Sequence, residues 1–318
     1  MLMSHVILLA LAPIFSVMVL GYVAGRFHRI DNRHVAGLNS LVMEFSLPAA
    51  LFMATASTPR GEMMEQGPFL AILCVAMLIP YLLWFYCRNK ILRLPSGEAA
   101  VEALSVSLPN YAAAGLPLMV AIVGPKEAVH VAVAIAAGSI LPSPITLVLL
   151  ELSAANRQAS AESTGARLWR VLRRALGKPI VLAPIAGLIL SISGLEPGDV
   201  VRASFRLIGQ TAGGVALFLT GLILSAQPFR LDRKVVVATT VANVIQPLFV
   251  AAIVYVFAVP LNIARPAILL AALPSGFFGI LFGVNYEVVS AEAGSIVIAS
   301  TAASVVTLAI AIVVLFPQ

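Results

Sequence analysis

Leu108-Pro109-Asn110 and Leu273-Pro274-Ser275 interrupt two long apolar stretches 165 residues apart, and at the same offset Glu127-Ala128 falls on Glu292-Ala293. Proline donates no backbone hydrogen bond and collides with the carbonyl one turn back, so each stretch is predicted to be a helix broken at depth. Hydrocarbon cannot satisfy the polar groups that such a break frees, whereas a solute site can. Asn110 offers an amide donor and a carbonyl acceptor beside the first break, suited to a carboxylate or an ion. Equally, its side chain serves as the cap of the half-helix that Pro109 disrupts. Ser275, its counterpart at the second break, is the weaker hydrogen-bonding group. Tyr111 and Gly276 complete the set expected to meet a substrate there. Pro109, Gly115, Pro117, Pro274 and Gly279 are expected to shape the crossing and let backbones approach.

Other polar side chains lie inside apolar runs. Glu44 falls near the middle of the second run, where an ionised carboxylate is costly unless partnered or wetted. Burial would raise its pKa toward a range useful for carrying a proton; the alternative is a helix-to-helix hydrogen bond to Gln210, its mate at an offset of 166. Asn243 and Gln246, followed by Pro247, face either the crossing or a neighbouring helix, where amides act as glue. His130 titrates near neutrality and could carry or report a proton, or simply sit at the membrane interface. No His-Glu-x-x-His element, no paired intramembrane aspartates and no serine with a histidine at catalytic depth occur, so neither a metal, a cofactor nor enzyme chemistry is expected.

The elements that must position these residues are membrane helices. A 318-residue chain that is 60% hydrophobic and 11% charged, with mean hydropathy +1.02, has too little charge to coat a soluble globule. Its formal charge of +6 resides in short loops between apolar runs, a pattern that orients membrane proteins and does not call for nucleic acid. Ten spans fit: 5–25, 36–56, 67–87, 99–123, 127–151, 178–194, 200–225, 234–258, 264–285 and 289–316, the fourth and ninth each being two half-helices. The first has no basic segment before it and is expected to remain as a span. Fifteen of the twenty Lys and Arg follow odd-numbered spans, which puts those loops in the cytoplasm and both termini outside. The other five are Arg60, Lys126, Arg202, Arg206 and Arg265, and no Lys or Arg sits clearly inside a span. Cys74 and Cys87 share one predicted helix about 20 Å apart, beyond disulfide reach.

The longest loop, 152–177, places Leu168, Val171, Leu172, Ala175 and Leu176 on one face with four arginines off it, a short basic helix suited to the inner membrane surface. It separates a first five-span unit, 1–151, from a second, 178–318. Leu11-Ala12-Pro13-Ile14 recurs as Leu182-Ala183-Pro184-Ile185, and Ala50-Leu51-Phe52 as Ala216-Leu217-Phe218, in the same order as the paired prolines. This pattern reads as internal duplication. An odd number of spans per unit inverts the second unit, the architecture of secondary transporters, in which broken helices meet near the midplane with half-helix ends facing one cavity.

The ten-span plan, the Pro-broken fourth and ninth spans and the Leu-Pro-Asn and Leu-Pro-Ser elements resemble the auxin efflux carrier family, which includes bacterial malonate transporter-like permeases. The resemblance covers essentially the whole chain. It implies a scaffold of spans 1, 2, 6 and 7, a transport unit of spans 3–5 and 8–10, substrate at the crossing, elevator-like movement and homodimers formed through the scaffold. Plant members divide their halves with a long hydrophilic loop, and the short loop here is closer to the bacterial branch. The expectation is therefore a secondary carrier of small organic anions, malonate or another carboxylate, in the plasma membrane, coupled to H+ if to any ion. Sodium-coupled bile acid carriers share the general plan, but their ninth-span acid has no counterpart in Leu273-Pro274-Ser275-Gly276-Phe277. A carrier of larger amphipathic anions and a transporter-like sensor without turnover are the alternatives.

Overall fold

A computed structural model describes residues 2–30, 35–61, 66–124, 128–157, 169, 173, 177–226, 229–288 and 290–317. Regular structure among them is helical throughout: α1 (Leu2–Arg26), α2 (Val35–Ala56), α3 (Gly67–Ile91), α4 (Ser96–Ser107), α5 (111–122), α6 (128–157), α7 (Pro179–Ser193), α8 (Asp199–Ala226), α9 (Arg233–Val256), α10 (Leu261–Ala271), α11 (Phe278–Asn285) and α12 (Ala291–Leu315). Six of them, α2, α3, α6, α8, α9 and α12, are long and apolar enough to cross a membrane. Large apolar side chains such as Leu83, Leu248, Val306 and Val314 stand exposed on these helices. Such a surface is stable against hydrocarbon and not against water, which makes this a multi-pass membrane protein. Most of the basic helix expected within 152–177 falls outside the described residues; α6 runs on to Arg157, and Trp169 and Arg173 are helical.

Proline punctuates the helices in two ways. At Pro109 and Pro274 the helix stops outright, α4 ending at Ser107 and α10 at Ala271. Elsewhere the helix continues, as plain α-helix through Pro13, Pro80, Pro184 and Pro266, and with π-helical turns at Leu41–Ser46, Tyr111–Gly115 and Val241–Ile245 just ahead of Pro48, Pro117 and Pro247. A proline cannot donate to the carbonyl four residues back, and a wide turn absorbs that missing bond without ending the helix.

Packing is densest within two groups of helices, α1, α2, α7 and α8 in one and α3, α4, α6 and α9 to α12 in the other. Small residues make the first group close. A Cβ on Gly21 would fall on the Phe218 carbonyl, and one on Gly221 on the Met18 carbonyl, so α1 and α8 touch backbone to backbone. Ser46 and Thr211 share a 2.8 Å hydrogen bond between α2 and α8, and Ser191 on α7 donates to the Thr58 carbonyl at 2.7 Å.

The second group is built around α4, buried from Ala99 to Ser107. The charged residue of that buried stretch, Glu102, is 1% exposed and takes a two-pronged pair from Arg88, Nε to Oε2 at 2.5 Å and Nη2 to Oε1 at 3.0 Å. Ser290 also lies 3.4 Å from Glu102, while Glu292 on α12 sits 3.8 Å from Arg88 and 3.6 Å from Lys234. This corrects the expectation that no basic residue lies within a span. Arg88, read as a loop charge, is only 3% exposed and belongs to the last turn of α3.

Candidate functional site at the crossing of two broken helices

The two breaks meet. Pro109 and Ser275 form an antiparallel bridge, in which the Asn110 N–H donates to the Pro274 carbonyl at 2.9 Å and the Gly276 N–H to the Leu108 carbonyl at 2.7 Å. The polar groups freed by the prolines are thus partly consumed by one another. The approach demands glycine at 276, where a Cβ would lie 2.7 Å from the Leu108 oxygen. Gly279 serves the same purpose a turn further along, facing the Val101 carbonyl and Ser105 on α4, while Gly115 lies against Leu273 and Leu270. Pro117 occupies the first turn of the α-helical stretch of α5.

Two side chains of α9 hold what remains. Gln246 donates through Nε2 to the Ser107 carbonyl at 2.8 Å, an oxygen left over at the end of α4, and to the Ala76 carbonyl at 3.2 Å. Asn243 acts through Ser300: the Ser275 N–H donates to Ser300 Oγ at 2.8 Å, and that hydroxyl donates to Asn243 Oδ1 at 2.5 Å. Asn243 Nδ2 returns a bond to the Ser300 carbonyl at 2.9 Å. Both amides therefore clamp the crossing from behind. Ser300 belongs to this chain of bonds and went unnoticed in the sequence, where one serine among many in a small-residue helix carries no signal.

Around the pairing lie polar atoms with no such use. Ser107 Oγ, Tyr111 OH, Gln246 Oε1 and Ser275 Oγ are buried and find no hydrogen-bond partner among the described residues. Asn110 is buried beside them at 6% exposure. A cavity of about 20 Å³ adjoins the crossing, walled by Leu108, Pro109, Tyr111 and Phe278 and, from α6, by Gly138, Ser139 and Ser143. The last three were missed, although a Gly-Ser pair and a serine between Pro142 and Pro144 mark an irregular polar stretch in an apolar run. Because α5 and α11 begin directly after the breaks, their N-terminal ends, with partial positive charge and spare N–H groups, lie at the crossing.

Three expected participants are elsewhere. Glu44 is not buried: it is exposed on the single chain, at an apolar groove with Phe45, Pro48, Phe52, Leu182 and Phe205. The link from α2 to α8 is made by Ser46 and Thr211 instead of Glu44 and Gln210, both of which are exposed. His130 does not line the cavity beside the crossing. It is buried with its ring edge-on to Phe69, centroids 4.7 Å apart. Among the described residues no group of three His, Cys, Asp or Glu side chains could hold a metal ion.

Comparison with known proteins agrees with this architecture. The chain is 29% identical to the "Uncharacterized transporter YfdV" of Escherichia coli strain K12, over 87% of this chain and 88% of the relative. It is 22% identical to the "Putative malonate transporter" of Rhizobium meliloti strain 1021, over 93% and 91% of the two chains. With "Auxin efflux carrier component 8" of Arabidopsis thaliana the identity is 23%, over 87% and 89%. The family described as "Membrane transport protein" matches residues 6–312, and the chain belongs to that family, the one its paired Leu-Pro elements resemble.

Proposed function

We propose that this protein is a secondary carrier that moves small organic anions, malonate-like dicarboxylates or monocarboxylates, by alternating access, with the substrate held at the crossing. The observation that carries the reading is the paired breaks with four buried polar atoms left unused around them. Each such atom costs about 1–3 kcal/mol, and buried polar groups left unpaired in one place are accounted for by a ligand that completes them. The crossing offers no Lys or Arg, so the anion is held by the N-terminal ends of α5 and α11 and by Asn110, Tyr111 and Ser275. A space of about 20 Å³ admits one water and no dicarboxylate, so this is a closed arrangement that must open.

In this proposal the chain forms ten spans as two inverted units, 1–151 and 178–318, joined by the linker 152–177, with both termini outside the plasma membrane. The group of α1, α2, α7 and α8 is the scaffold and the seat of a homodimer, and the other group slides against it. Proton coupling is preferred to sodium, because no carboxylate stands in Leu273-Pro274-Ser275-Gly276-Phe277. The relative described as a malonate transporter supports the substrate class.

Flux of labelled malonate in proteoliposomes tests the reading. Asn110→Ala is expected to lower it at least tenfold, and full transport by that variant would remove Asn110 from the site. Glu44→Gln, measured under an imposed pH gradient, addresses coupling: a gradient response identical to that of the unchanged protein excludes Glu44 as proton carrier. Stabilisation by malonate without any net flux would instead mark a sensor.

A further inference from the structure

Three of the five basic residues on the less basic side of the chain gather at one cavity, away from the crossing. Arg60, beyond the end of α2, and Arg202 and Arg206, in the first turns of α8, line an open polar space of about 300 Å³ where α2 and α7 end and α8 begins. No residue is shared with the small cavity beside the crossing. Among the described lining residues three guanidiniums face one carboxylate, Glu196, a surplus of two positive charges. Glu196 pairs with Arg202 Nη2 at 2.7 Å, but its side chain is 81% exposed, and a pair so open to solvent neutralises little.

Arg202 is otherwise directed inward. Its Nη2 also donates to the Pro197 carbonyl at 3.3 Å, and its Nε is buried with no acceptor among the described residues. Arg60 and Arg206 make no side-chain ion pair among the described residues. The C-terminal ends of α2 and α7 point partial negative charge at this space and help hold the cations. Partial charges do not cancel a surplus of two, however, and gathered like charges repel unless an anion joins them. Guanidinium groups bind carboxylate and phosphate through paired N–H donors.

We propose that this cavity binds an oxyanion, a carboxylate or phosphate group, through Arg60, Arg202 and Arg206. Its position at the helix ends puts it level with a membrane face, so the group comes either from a dissolved dicarboxylate or phosphate or from an anionic lipid headgroup.

The test uses the full-length protein in neutral detergent. Malonate and inorganic phosphate are titrated at constant ionic strength while the unfolding midpoint is followed, and retention of phosphatidylglycerol is read by native mass spectrometry. At least one probe is expected to bind saturably, with affinity falling about tenfold for each of Arg60→Gln, Arg202→Gln and Arg206→Gln, as expected for loss of one charge-assisted donor. The titrations are repeated in Asn110→Ala, which weakens malonate binding at the crossing but removes no residue of this cavity, so that the binding that remains there reports the arginines. A response to malonate or phosphate alone identifies a dissolved anion, and one to phosphatidylglycerol alone identifies a headgroup. Measured in the Asn110→Ala background, binding that survives all three Arg substitutions overturns the proposal, as does the absence of binding by every probe. Should Arg202→Gln fail to fold, Arg60→Gln and Arg206→Gln decide the matter, since neither removes an ion pair seen among the described residues.

Discussion

At the scale of single residues, the amides of α9 do more to hold the crossing than to face a ligand. Asn243 reaches Ser275 only through Ser300, and Gln246 spends its donors on the Ser107 and Ala76 carbonyls. Ser300→Ala removes the acceptor of the buried Ser275 N–H and is expected to cost about 1–3 kcal/mol, measurable as a lower unfolding midpoint. Arg88 and Glu102 make a sharper case. Removing either partner strands the other charge in the interior, so Arg88→Met and Glu102→Leu should each cost about 3–5 kcal/mol. The double variant should recover most of that loss, and simple additivity in the cycle would show that the two do not act as a pair. The sequence marked Asn243 and Gln246 as one polar cluster, because amides are conspicuous in an apolar run. It could not mark Arg88, since a basic residue near a helix end looks the same whether it faces water or a partner folded against it.

At the scale of elements, proline and glycine divide the work. Pro109 and Pro274 end helices by local chemistry, and that much is readable from the chain. Glycine at 276 is needed because of what lies opposite, the Leu108 carbonyl of a segment far away in sequence. Gly276→Ala is therefore expected to force the paired breaks apart at a cost of about 1–3 kcal/mol. Gly214→Ala, in α8 with no atom within 4 Å of the new methyl, should instead stabilise the helix by about 0.4–1 kcal/mol. Unfolding midpoints moving in the same direction for both would contradict the distinction between packing glycines and idle ones. The wide turn at Leu41–Ser46 had no expectation attached; within it Val42, Met43 and Ser46 are buried and Glu44 is exposed.

At the scale of the whole molecule, orientation and motion are the open consequences. With basic loops held on the cytoplasmic side, Arg230→Cys in a background lacking Cys74 and Cys87 should react with a membrane-impermeant thiol reagent only after permeabilisation, and Arg60→Cys in intact cells. Labelling of both from the same side would rule out the inverted plan. The sequence by itself determined that this is a helical membrane protein, where its helices lie and where two of them break, because hydropathy and proline chemistry act within a few residues. Only the tertiary structure decided that the breaks hydrogen-bond to each other, that Arg88 turns inward to Glu102, that Glu44 stays outside and that Arg60 joins Arg202 and Arg206 around one space. Most of those relations join residues remote in the chain, and the two within shorter reach, of Glu44 and of Arg88, depend on how a helix is wound and packed. None of them leaves a local signature to read.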